Sequence, residues 1–313
     1  MRIKIPPPHS HPRGPQRGWF EVNAPAVLLM PTIFVLFALT IFPFFYSLAL
    51  SFHKWNMMEN VGWKFIGLHN YGRMLFQDSL FWSAVRVSIS YLAVTVTAQF
   101  TLGLVVALLL NRDLRATGVI RTIVVLPMMA TPVAVGLIWR FMYNTDLGMI
   151  NYLLSVIGIN RLDWLGSVKT GFWAVVIVDV WQWTPFMSLI LLAALQALPH
   201  DLYEAASIEG ARWLQAFRLI TLPLIRPAVL VALLIRIMDS FKTFDLIFVL
   251  TGGGPGATTQ VLSMYTYKVG FRQFEMGQAS ALSFFMLIIV LVIANIFLKM
   301  MNGREKPIGK SGA

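Results

Sequence analysis

Apolar runs alternate with polar, Trp- and Pro-rich stretches along this chain, and the runs are long. A hydrocarbon layer about 30 Å thick takes about 20 helical residues to cross. Six runs meet that length, at about 26–50, 87–110, 122–142, 170–198, 227–250 and 276–298. Pro31 and Pro43 in the first run and Pro127 and Pro132 in the third predict bends, which neighbouring helices can accommodate. The pattern describes an all-α integral membrane protein: one six-helix domain over 24–301, between a basic, Pro-rich disordered tail (1–23) and a short basic tail (302–313). The polar stretch 51–86 is expected to be a loop carrying short interfacial helices.

The longest polar interruption, 199–226, reads PHDLYEAASIEGARWLQAFRLITLPLIR. Asp201 is placed to cap a helix, with Glu204 three residues on to complete the box. Ala205 and Ala206 are small enough to let another surface approach closely, and Gly210 can end the helix in a left-handed turn. A second helical pattern over 213–222 runs into Pro223 and Pro227, where a bend is predicted. Together these describe a short helix presented on a loop.

Composition fits lipid as the solvent. Hydrophobic residues make up 57% of the 313 and charged residues 12%, with a mean hydropathy of +0.70. Soluble domains carry about twice that charged share. A net charge of +11 would suggest nucleic acid in a soluble protein. With both termini assigned to the cytoplasm, however, the inner segments hold 14 Lys or Arg and the outer segments 10, and Arg236 lies within a run. That bias follows the positive-inside rule, and no aromatic–basic RNA motif supports a nucleic-acid partner.

Catalytic chemistry is not in evidence. There is no Cys, and the five His (His9, His11, His53, His69, His200) sit in tails or loops without ligand spacing, so no metal site is expected. No HExxH or GxSxG occurs. The run from Gly252 to Gly256 lacks the Gly-Lys-Ser/Thr of a phosphate loop and is read as a tight turn.

The polar groups inside the fifth run are the exception to its apolar character. Arg236, Asp239, Ser240 and Thr243 fall at i, i+3, i+4 and i+7, one face of a helix. Such groups are costly at bilayer depth and turn toward a bundle interior or a wet cavity. The fourth run carries one acid, Asp179. Arg236 paired with Asp239 or Asp179 could simply hold the two spans together.

The spacing of 199–226 carries a resemblance. Glu204-Ala205-Ala206, three residues, Gly210, nine residues, then Ile220-Thr221-Leu222-Pro223 is similar to the EAA---G---------I-LP motif of ABC-importer permeases. FIGLHNY from Phe65, RTIVVLPMMATPVAVGLIWRFMYN from Arg121 and LIRIMDSFKTFDLIFVLTGGGP from Leu234 resemble the maltose-type carbohydrate-uptake permeases, so the likeness covers about residues 20–300. It implies the type I (MetI-like) importer fold in a bacterial inner membrane. It also implies a second permease subunit as heterodimer partner, two cytoplasmic ATPase subunits that bind ATP and Mg, and an extracytoplasmic solute-binding protein. Glu204, Ala205, Ala206, Gly210, Leu222 and Pro223 would then form the ATPase-coupling element. Asp179, Gln182, Trp183, Phe186, Arg236, Asp239, Ser240 and Thr243 would line the solute pathway, with the aromatic rings stacking on a sugar and the polar groups binding its hydroxyls.

Two other classes of function compete with this one. An ion-coupled secondary carrier would use Arg236, Asp239 and Asp179 as its coupling charges. An integral-membrane enzyme would need a nucleophile or metal set that the sequence lacks.

Overall fold

The computed structural model describes residues 19–59, 62–112 and 117–302. Most of the two expected tails, 1–18 and 303–313, lies outside them. The chain divides into two units, Met1–Ala49 and Leu50–Ala313. In the first, α1 (Trp19–Leu36) begins inside the stretch expected to be a tail and runs through a π turn (Phe37–Ile41) into α2 (Phe42–Ser51). From Leu28 onward the side chains of this helix are exposed almost throughout.

The π turn has a local cause. Pro43 has no N–H, and its ring would collide with the carbonyl four residues back. Opening the ladder one turn earlier, so that the Phe42 N–H reaches the Phe37 carbonyl, relieves the mismatch. The same device recurs in the second unit at Phe217–Thr221, just ahead of Pro223, where the Leu222 N–H reaches Phe217.

The second unit opens on an antiparallel hairpin, β1 (His53–Lys54) with β2 (Lys64–Phe65), and a short helix α3 (His69–Phe76). Helix α4 (Ser79–Leu110) starts eight residues before the expected span at 87. Asp78 caps it, accepting from the Phe81 N–H at 3.0 Å, and also takes the hydroxyl of Tyr265. Burial pushes Tyr265 well above its usual pKa, so its hydroxyl stays a donor there.

The third apolar run is two helices, α5 (Thr117–Met129) and α6 (Pro132–Met142), meeting at a 95° corner. Pro127 lies within α5 and Pro132 opens α6, so the turn falls between the two prolines, at Ala130-Thr131. Helices α7 (Met149–Val156) and α8 (Gly171–Gln196) follow, then α9 (Asp201–Ile208), α10 (Trp213–Ala216), the second π turn and α11 (Leu222–Phe241). The helix is not broken at Pro223 or Pro227, and loop and span are continuous there. Because the π turn absorbs the proline, Trp213–Phe241 is a single 29-residue helix.

The expected span 227–250 instead breaks at Lys242–Phe244, beyond which lie α12 (Asp245–Leu250), α13 (Leu262–Phe271) and α14 (Met276–Asn302). Among the described residues, five helices can cross a membrane, six with the bent pair counted as one span.

The bundle packs around α4 and α8, the pair in most extensive contact. Gly103 permits that approach, since a Cβ there would lie 2.8 Å from the Met187 Cβ. Ala107, Leu191 and Ile225 fill one end of the α4–α8–α11 core. Val175, Val178, Leu246 and Ile247 fill the other, where α6 and α12 lie together.

Candidate functional site

Arg236 is the largest fully buried side chain among the described residues, 1% exposed on α11. A guanidinium at that depth must have its donors satisfied. Its Nη2 donates to both carboxylate oxygens of Asp179 on α8, at 3.0 and 2.8 Å. Its Nη1 donates to Asp239 at 2.7 Å, and its Nε donates to Gln99 Oε1 on α4 at 2.8 Å. Gln99 closes the ring through its Nε2, which donates to Asp179 Oδ2 at 2.8 Å and to the Asp179 carbonyl at 3.1 Å. The Trp183 ring lies 4.9 Å from the guanidinium carbon and adds a cation–π contact. Three spans are thus tied by one polar ring. Both sequence-level pairings of Arg236 are present together.

Asp239 sits at the edge of this ring, with 44% of its side chain exposed. A cavity of about 210 Å³ opens beside it, walled by Asp179, Gln182, Trp183, Lys242, Thr243 and Asp245 among others. A second, more apolar cavity of about 320 Å³ shares Trp183, Asp239 and Lys242 and adds Phe186, Ile235 and Met238. Trp183 and Phe186 meet edge to face, with centroids 6.4 Å apart. Gln182 donates its Nε2 to the Ala130 carbonyl at 3.0 Å, holding the corner between α5 and α6, while its buried Oε1 has no partner. The two lobes together can hold a solute with hydroxyl groups on one side and an apolar ring face on the other.

Seven of the eight pathway residues proposed from sequence meet at this ring and its cavities. Ser240 points elsewhere: it is buried, with its hydroxyl 3.4 Å from that of Thr95, and lines neither cavity. The helical face therefore splits, with Arg236 and Ser240 turned inward and Asp239 and Thr243 toward the cavities. Gln99, Lys242 and Asp245 were missed. The signal for Gln99 was available, since it is the sole amide side chain in an otherwise apolar or hydroxyl-bearing run. Gln99→Leu is expected to destabilise the protein by about 1–3 kcal/mol, by stranding the Arg236 Nε and one side of Asp179; thermal melting in detergent reads it.

On the loop, α9 leaves none of its residues buried. Asp201 does not cap it. The cap position falls on His200, already at helical angles (φ −64°, ψ −33°) and without a side-chain hydrogen bond, so Asp201 and Glu204 both lie within the first turn. There they complement the helix dipole instead. The C-terminus is a Schellman turn: Gly210 takes φ 76°, its N–H donates to Ser207, and the Ala211 N–H donates to Ala206. Tyr203 joins its hydroxyl to that of Thr221 at 2.8 Å, fastening α9 to the start of the α11 span. Glu204, Ala205 and Gly210 are exposed, as are Leu222 and Pro223 at the head of α11. Large apolar side chains stand out around them, with Ile208 86% and Trp213 67% exposed.

Comparison with known proteins agrees with this architecture. Residues 99–305 match the family described as "Binding-protein-dependent transport system inner membrane component". A trehalose/maltose transport system permease protein of Thermococcus litoralis is 39% identical over 279 residues, which is 89% of this chain and 94% of that protein. A trehalose transport system permease protein of Mycobacterium tuberculosis is 38% identical over 291 residues, 93% of this chain and 90% of its own. The structure of a bacterial alginate transporter, solved with an alginate pentasaccharide-bound periplasmic protein, includes a chain that superposes with a TM-score of 0.77 at 25% identity. That match covers 93% of this chain and 99% of the other.

The fold is that of an ABC-importer permease, a multi-pass inner-membrane subunit that is not itself an enzyme. The chain belongs to the family of binding-protein-dependent transport system inner membrane components.

Proposed function

We propose that this chain is one of two permease subunits of an importer for a neutral sugar, glycoside or polyol. An extracytoplasmic binding protein delivers the solute, and two cytoplasmic ATPase subunits, which bind the ATP and Mg, drive its passage. The loop 199–226 and both tails lie on the cytoplasmic side. The observation that carries the coupling is α9: an exposed helix with Glu204 and Ala205 outward, ended by Gly210 and fastened to α11 by Tyr203. Such a projecting, partly apolar element is a docking surface for a partner.

The names of its relatives support a carbohydrate. Neutrality follows from charge. Arg236 is engaged by Asp179, Asp239 and Gln99, so that ring and polar cavity together set two cations, Arg236 and Lys242, against three acids, Asp179, Asp239 and Asp245. An anionic solute gains little there, whereas hydroxyl groups find acceptors in Asp239 and Asp245. Trp183 and Phe186 offer ring faces to the apolar side of a sugar.

The test is uptake into proteoliposomes holding the assembled transporter and its binding protein. Neutral sugars are expected to accumulate only with ATP, and Trp183→Ala to weaken transport about 3- to 10-fold with the ATPase subunits still bound. Accumulation driven by an ion gradient without ATP would reject the coupling. Preference for uronates over neutral sugars would reject the solute class.

A further inference from the structure

A second polar cavity, of about 490 Å³, lies away from the solute site, between the hairpin, α3 and the start of α14. Lys54, Lys64 and Arg73 line it together with His69, Asn70 and a single acid, Glu275. Asn70 forms its buried floor, donating its amide to the carbonyls of Ser51 at 2.9 Å and His53 at 3.0 Å, so the backbone beneath the cations is pinned. The Lys54 ammonium leans on Glu59 at 3.7 Å, with both side chains about half exposed. Lys64 and Arg73 have no ion-pair partner among the described residues. The transport reading uses none of these groups.

The cavity's level along the spans identifies its ligand. Lys54 comes three residues after the first apolar helix ends at Ser51, and Glu275 immediately precedes the apolar helix that begins at Met276. The cations therefore stand where hydrocarbon gives way to water. Exposed aromatic side chains stand on the same elements: Trp63 and Phe65 on and beside β2, and Phe76 at the end of α3. Aromatic belts mark that same level. Cations in a cavity at headgroup depth fit a phosphate diester, and Glu275 fits hydroxyl donors on the headgroup beyond it.

We propose that this cavity binds the phosphate of an anionic phospholipid with a hydroxylated headgroup, such as phosphatidylglycerol. The lipid holds the hairpin and α3 against α14.

The test uses the full-length chain, stripped of lipid in detergent and then given phosphatidylglycerol, phosphatidylcholine or inorganic phosphate, with retention read by native mass spectrometry and stability by thermal melting. Wild type is expected to retain phosphatidylglycerol in preference to phosphatidylcholine and to melt higher with it. The Lys64→Gln, Arg73→Gln double variant is expected to weaken that retention about 30-fold, and Lys64→Gln alone about fivefold. Lys64 is exposed, so the single variant remains informative if the double variant does not fold. Equal retention of the two lipids, or an unchanged preference in Lys64→Gln, would overturn the proposal. So would a melting shift reproduced by inorganic phosphate alone. If the variants instead lose binding-protein association in phosphatidylcholine nanodiscs, the cluster is a protein contact and the lipid assignment fails.

Discussion

Arg236→Met is expected to cost this permease about 3–5 kcal/mol of stability, the largest effect of any single substitution at the polar ring. The loss comes less from Arg236 than from what it leaves behind. Asp179 is 1% exposed and would lose its charge partner, keeping within the ring the neutral Gln99 amide. Asp239, with 44% of its side chain exposed, can rehydrate. Arg236→Met combined with Asp179→Leu should therefore recover most of the stability, because the uncompensated buried charge is gone. Arg236→Lys should fall between, since one ammonium cannot reach Gln99, Asp179 and Asp239 with the fork geometry of a guanidinium. Melting of the detergent-purified protein separates these cases. An unchanged midpoint for Arg236→Met, or no recovery in the double variant, would show that the ring does not hold the three spans.

Gly210→Val should reduce ATP-driven uptake tenfold or more without dismantling the membrane bundle. At φ 76° a β-branched side chain costs about 1–2 kcal/mol or more, and relieving that strain opens the Schellman turn that ends α9. Glu204 and Ala205 would then lose the fixed presentation that the proposed docking uses. Asn tolerates the left-handed region, so Gly210→Asn should keep most of the uptake. Nothing lies within 4 Å of where a Cβ at Gly210 would sit, so steric clash would not confuse the comparison. The readouts are uptake into proteoliposomes and retention of the ATPase subunits on purification. Equal transport by the Val and Asn variants would remove the left-handed turn from the coupling argument.

The spans were legible because bilayer thickness imposes a length on them, and no soluble fold demands so many long uncharged runs. Their breaks were less so. Pro127 and Pro132 mark the third run, yet the corner falls between them, where Gln182 of another helix holds the Ala130 carbonyl. A tertiary hydrogen bond of that kind leaves no trace in local periodicity. Pro223 behaves differently, since a π turn carries the helix past it without a break.

At the site, Arg236, Asp179 and Asp239 could be found because charge is costly in an apolar run. Gln99 is neutral and carries no such signal of cost, although it accepts from Arg236 and donates to Asp179. Ser240 shares the helical spacing, but a face wide enough for four positions spans both the buried seam and the cavity wall. Asp201 has a residue type that fits a cap. The preceding His200 is already helical, which moves the helix start back by one residue.

The fastening of Tyr203 to Thr221 has a mechanical consequence. From Thr221 to Arg236 the chain is one uninterrupted helix, and 15 residues at 1.5 Å each make a lever arm of about 22 Å. A tilt of a few degrees imposed at α9 would displace the guanidinium by an ångström or more, comparable to the margin that separates a 2.8 Å hydrogen bond from a broken one. Because Arg236 grips α4 and α8 together, such a stroke must either drag both helices or let go of them. The polar ring is then the load at the far end of the lever, and the half-exposed Asp239 is the part of it open to the cavity.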